Sequence, residues 1–211
     1  MVGVDRIEEE SMTAVLSLAD PELLARRDLT VDDVADLPED LRYELVDGRL
    51  VLTPAPLPIH QNIGFYVMGA LKENCPPDRY LSFDQSILVD SHNERRPDVV
   101  VLSAETANRS RIHAEDVFLV VEIISRSSKV IDREEKMKEY AKAGIPAYWI
   151  IDPLDEKVTF SRFSLEQDGN YHCRLRTTSR VRIAEPWPVT LDPSAWTSER
   201  DWLDGIARPD R

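Results

Sequence analysis

Apolar residues in this chain fall into short, dense runs separated by charged stretches with helical periodicity. Residues 118–124 read Phe-Leu-Val-Val-Glu-Ile-Ile, an apolar segment broken by one carboxylate. A run of this length predicts a strand buried on both faces. Val99 to Leu102, directly after Arg96-Pro97-Asp98, predicts a second strand over 98–102. Ala147 to Ile151 predicts a third, stopped by Asp152-Pro153. Further strands are expected at 80–89, 157–163, 171–177 and 181–184, the last three as antiparallel additions, with a polar loop at 103–116. Residues 42–53 read as a hairpin: Tyr43, Leu45 and Val46, an Asp47-Gly48 turn, then Leu50, Val51 and Leu52.

Helical spacing takes over between these runs. Ile63, Val67, Ala70 and Leu71 predict a helix over 59–74, ended by Pro76-Pro77. Val130, Met137, Tyr140 and Ala141 predict an amphipathic helix over 129–143, with Gly144 as its C-terminal cap. Thr30 and Asp33 resemble an N-cap with an acidic partner, opening a short helix that stops near Pro38. Pro54, Pro56 and Pro58 form a stiff connector. The order of elements implies an α/β fold, a mixed central sheet flanked by helices. Residues 1–27 are expected to be a flexible lead-in, 28–195 the folded domain and 196–211 a C-terminal tail.

Composition narrows the class. The 211 residues suffice for a core without disulfides, and the two cysteines, Cys75 and Cys173, form neither a zinc motif nor a disulfide framework. The segment containing Asp5, Glu8, Glu9 and Glu10 lacks the basic-then-apolar pattern of a signal peptide, and no apolar stretch approaches the roughly 20 residues of a membrane span. A cytoplasmic location is therefore expected. The net charge of −13 argues against avid, non-specific nucleic-acid binding. The acid is unevenly spread: residues 1–60 carry 5 basic and 14 acidic groups, whereas 95–142 carry 10 basic and 9 acidic. A weak or dimer-dependent DNA binder is compatible with that distribution.

The acids inside the apolar runs carry the candidate chemistry. An unpaired Glu122 in a doubly buried strand costs several kcal/mol or is forced to protonate, so something cationic should meet it. A buried salt bridge or an edge-strand position would also account for a lone glutamate. Asp98 changes the weighting: it shares a face with Val100 and Leu102, as Glu122 does with Val120 and Ile124. If the two strands pair, both carboxylates can converge on one Mg²⁺, which prefers one or two carboxylates plus water and phosphate. Glu44, between Tyr43 and Leu45, is a third candidate, although a solvent-facing strand position explains it as well. Lys136 is the favoured basic member, on the helix after the Glu122 strand and on the same face as Tyr140 at i+4; Lys129 is a weaker one. Arg126, Lys129, Arg133 and Lys142 surround the proposed site and either meet phosphates or form a solvated face.

Pro97-Asp98, followed about twenty residues later by Glu122 in an apolar strand, resembles the PD-(D/E)XK signature of restriction-endonuclease-like nucleases. A longer series of motifs is more specific: Tyr43-Glu44-Leu45-Val46-Asp47-Gly48, His60, Arg96-Pro97-Asp98, Val121-Glu122-Ile123-Ile124-Ser125, Ser127-Ser128 and Asp132. Lys136, Tyr140, Gly144-Ile145-Pro146 and Tyr148-Trp149-Ile150-Ile151-Asp152 continue it. Over about residues 28–195 the chain is similar to the bacterial Uma-type "putative restriction endonuclease" family. The resemblance implies a restriction-endonuclease-like fold and a Mg²⁺-dependent endonuclease, with Mn²⁺ as substitute, acting on DNA as a homodimer. It matches Glu44, Asp98 and Glu122 to the family's acidic positions and Lys136 to its helical lysine. A plain (D/E)XK motif would place the lysine at position 124, which is Ile124 here. His60 matches a family position and either positions a phosphate or water or serves structure alone. Two other classes remain open: a non-cutting binding module on a nuclease scaffold, and a glycosidase carboxylate pair, which the 7% aromatic content disfavours.

Overall fold

A computed structural model describes residues 21–38, 41–53, 55–125 and 131–207. The described chain divides into two compact units. One comprises residues up to Ala55 together with Leu88–Arg96, and the other Pro56–Ile87 with Pro97 onward.

In the first unit, helix α1 (Pro21–Ala25) precedes the predicted hairpin, β1 (Tyr43–Val46) and β2 (Arg49–Leu52), whose four residue pairs are in register. Asp47 and Gly48 both have positive φ, 46° and 71°, the conformation a two-residue hairpin turn needs. β1 also pairs with β5 (Asn93–Arg95), beside β4 (Ile87–Asp90), giving the order β2-β1-β5-β4. Leu29, Val34, Leu45 and Leu50 form this unit's core. The helix expected between Thr30 and Pro38 does not form. Thr30 and Asp33 do cap each other, the Thr30 hydroxyl lying 2.7 Å from Asp33 Oδ2. The backbone, however, makes only three-residue turns, Asp33 to Thr30, Ala35 to Asp32 and Leu37 to Val34. Pro38 leaves no room for helix propagation after a costly first turn.

The second unit is built on a six-stranded sheet in the order β10-β9-β8-β7-β6-β3. Its members are β3 (Arg79–Phe83), β6 (Val99–Ser103), β7 (Val117–Ile123), β8 (Ala147–Asp152), β9 (Thr159–Leu165) and β10 (Tyr171–Thr177). β7 and β8 run parallel; the other neighbours are antiparallel. The expected strand over 80–89 is two strands, interrupted around Asp84, whose φ is 53°. A small hairpin of β11 (Val181–Ile183) and β12 (Val189–Leu191) follows. The expected tail after 195 lies within a helix, Pro193–Ala207, that buries Trp196 in the core.

Face assignment follows strand parity. Val99, Val101, Val121, Ile123, Trp149 and Ile151 pack with Ile63, Val67 and Leu71 of helix α2 (Pro58–Glu73). Gly64 permits the close approach: a Cβ there would lie 2.5 Å from the Phe83 ring. Tyr148, of opposite parity, packs edge-on against Tyr140 of helix α3 (Lys136–Lys142), with ring centroids 5.5 Å apart. α3 belongs to the crossover that a parallel β7–β8 pair requires, and such a helix folds back over the sheet. A π-helical turn, Ile131–Glu135, precedes it, so the expected 129–143 helix is partly realised; residues 129 and 130 lie outside the described residues. α3 ends as predicted at Gly144, φ 81°, where Ile145 N–H donates to the Tyr140 carbonyl and Gly144 N–H to that of Ala141. Among the described residues, no helix is long and apolar enough to cross a membrane.

Candidate active site

Glu122 sits one residue from the end of β7, its side chain on the face that α3 covers. It is 3% exposed. One cation meets it in the fold, Lys136, whose Nζ lies 3.1 Å from Glu122 Oε1. The Tyr140 hydroxyl donates to the same oxygen at 2.9 Å. Lys136 and Tyr140 are four residues apart, one turn along a single helix face, so one element delivers both donors. Lys136 is itself only 6% exposed, which makes this a buried, charge-assisted contact.

Asp98 stands at the same end of the sheet. Val99 pairs with Val121 and Val100 with Val120, so one further step would set Asp98 opposite Glu122. The Asp98 carbonyl accepts the Asp84 N–H on the β3 side. Its carboxylate accepts the Ile123 N–H, Oδ2 to N 2.6 Å, and lies 3.4 Å from His60 Nε2. His60, in the first turn of α2, donates from Nε2 to the Ile123 carbonyl at 2.7 Å. Asp98 is thus held by the Ile123 backbone and His60, and Glu122 by two donors on α3.

The second unit therefore brings Asp98, Glu122, Lys136 and His60 to the end of β7 and its surroundings. Glu44 lies in the first unit. There it accepts Arg95 Nη1 at 3.1 Å and the Arg96 N–H at 3.1 Å, with Arg95 1% exposed. The sequence places Tyr140 among the apolar helix positions; its i+4 spacing from Lys136 is the available signal for its hydroxyl. Arg133 bonds the buried Asp152 at 2.5 Å. Arg126, Ser127, Ser128 and Lys129 lie outside the described residues.

The donor set fits a hard, hydrated divalent cation. Asp98 and Glu122 offer carboxylate oxygens, and Mg²⁺ requires only one or two of these when waters and substrate complete its shell. Among the described residues, no group of three or more His, Cys, Asp or Glu side chains is placed to hold a metal ion, so a closed protein cage is not what this end of the sheet provides.

The sequence model of the Uma2 family, described as "Putative restriction endonuclease", matches residues 31–187. None of the curated proteins matches the chain. The solved structures that match include a crystal structure from Anabaena variabilis, described as a putative nuclease belonging to DUF820. It is 16% identical, aligns over 81% of this chain and 92% of its own, and superposes with a TM-score of 0.58, a likeness of fold.

Proposed function

Since the chain belongs to the Uma2 family, we propose that it is an endonuclease hydrolysing DNA phosphodiester bonds with Mg²⁺, or Mn²⁺ in its place. The observation that carries this reading is a buried lysine held against a strand glutamate, 3.1 Å apart, at the sheet end where Asp98 also stands. Asp98 and Glu122 would hold the cation. When bound, it would lower the pKa of a water and offset charge on the scissile phosphate. Lys136 keeps an ammonium beside Glu122, where it orients a water or adds positive charge as negative charge builds on the phosphoryl oxygens. Tyr140 fixes the glutamate rotamer through its hydroxyl.

The net charge of −13 implies weak, salt-sensitive DNA binding. Cutting both strands of a duplex takes two sites, which favours a homodimer. A supercoiled plasmid incubated with the protein and Mg²⁺ or Mn²⁺ should be nicked, and Asp98→Ala or Glu122→Ala should abolish nicking while preserving the fold. Equal cleavage by both variants refutes the site. One observation favours a second reading, a binding module that does not cut: Glu122 and Asp98 both have protein partners before any ion arrives. A melting temperature indifferent to saturating Mn²⁺ would favour that alternative.

A further inference from the structure

We propose that His60 is a positioning residue: it completes the broken end of the β6–β7 ladder and thereby sets the Asp98 carboxylate. This inference rests on the reading of Asp98 as a metal-binding carboxylate. Pro97 is where the ladder breaks. Ile124 N–H bonds the Ile151 carbonyl on β8, so the N–H and C=O of Ile123 face the other way, toward β6. With Val99 opposite Val121, the next rung pairs Ile123 with residue 97. Residue 97 is a proline and has no N–H to donate. The Ile123 carbonyl has therefore lost its strand partner, and His60 Nε2–H takes that place at 2.7 Å. The Ile123 N–H, on the same side, goes to Asp98 Oδ2 at 2.6 Å. One residue is thus gripped at both polar groups, by the histidine and by the site aspartate, and those two side chains stand 3.4 Å apart.

The histidine uses its two nitrogens unequally. A carbonyl can only accept, so Nε2 carries a proton and is the donor in this contact. Nδ1 is buried and, among the described residues, has no hydrogen-bond partner. Here the one satisfied nitrogen is spent on the residue that orients Asp98. Outer-shell groups that orient ligands typically change metal affinity 10–100-fold when removed.

The test uses the full chain as wild type, His60→Ala and His60→Gln, whose amide N–H can still donate to the carbonyl. Two quantities are measured: amide exchange at Ile123 without metal, by NMR, and Mn²⁺ affinity by calorimetry. The expected result is faster Ile123 exchange in His60→Ala, by roughly tenfold, with Mn²⁺ binding weakened by about 10–100-fold and both restored in His60→Gln. Unchanged Ile123 exchange in His60→Ala overturns the proposal whether or not metal binds. Faster exchange with unchanged Mn²⁺ affinity overturns it too, leaving a purely structural histidine. If wild type binds no Mn²⁺, the metal reading alone fails, and Ile123 exchange without metal still decides whether His60 holds Asp98 in place.

Discussion

Replacing Lys136 with methionine removes a charge and keeps most of the side-chain volume. Its Nζ lies 3.1 Å from Glu122 Oε1, and both residues are buried. At that separation and an effective dielectric near 20, the Coulomb term is about 5 kcal/mol. Relief of the lysine's own desolvation returns part of it, while Tyr140 continues to donate to the same oxygen. A net loss of roughly 3–5 kcal/mol is expected, against about 0–1 for a surface pair. Urea unfolding of Lys136→Met in EDTA measures it, with Glu122→Gln and the double variant closing a cycle that isolates the pairwise term. The same titrations with Mn²⁺ at a hundredfold excess over Kd should add about 2.7 kcal/mol to wild type. The variant should keep that increment, since the ion and the lysine share one carboxylate and the ion gains from the lysine's absence. A loss under about 1 kcal/mol would refute the buried-pair reasoning. A large loss with no Mn²⁺ increment in either protein would show that Lys136 alone is the cation Glu122 requires.

Glu44→Gln strips a charged partner from the buried Arg95, at 3.1 Å, and should lower stability by about 1–3 kcal/mol on chemical denaturation. Burial raises the Tyr171 hydroxyl above its ordinary value, and it donates to the Ile145 carbonyl at 2.7 Å. A raised folded-state value means the folded form keeps its proton when the unfolded form has lost it, so stability is complete below about pH 10 and falls as pH rises beyond. Tyr171→Phe should cost about 1 kcal/mol at neutral pH yet flatten that alkaline decline, read from melting curves between pH 8 and about 11. The proposed homodimer should appear in light scattering at assay concentration; a monomer there, with intact nicking, removes the claim.

Much of this architecture is legible from local pattern. Asp47-Gly48 specifies the hairpin because few residues tolerate two successive positive φ values, observed at 46° and 71°. Gly144 similarly marks where α3 stops. A lone glutamate in an apolar strand calls for a cation, and Lys136 is one turn from Tyr140 on the crossover helix that has to cover that strand. What stayed hidden depends on pairing between distant segments. Asn93-Glu94-Arg95 carries no strand pattern, being short and polar, yet it pairs with β1 and brings Arg95 to Glu44. No periodicity could distinguish that engaged carboxylate from a solvent-facing one. The Pro97–His60 relation is likewise invisible until the β6–β7 register sets residue 97 beside Ile123. The helix holding Trp196 carries no clear apolar period in its charged, Ser-containing sequence; tertiary packing of Trp196 stabilises it instead.

The central claim is that Asp98 and Glu122 hold one divalent cation between them. Anomalous diffraction from a crystal soaked in Mn²⁺ tests it directly. The account predicts a single strong peak at bonding distance from oxygens of both carboxylates, with Lys136 remaining beside it. Its contradiction would be a saturating soak with no peak there, Glu122 still held by Lys136 and Tyr140, and Asp98 still bonded to the Ile123 N–H.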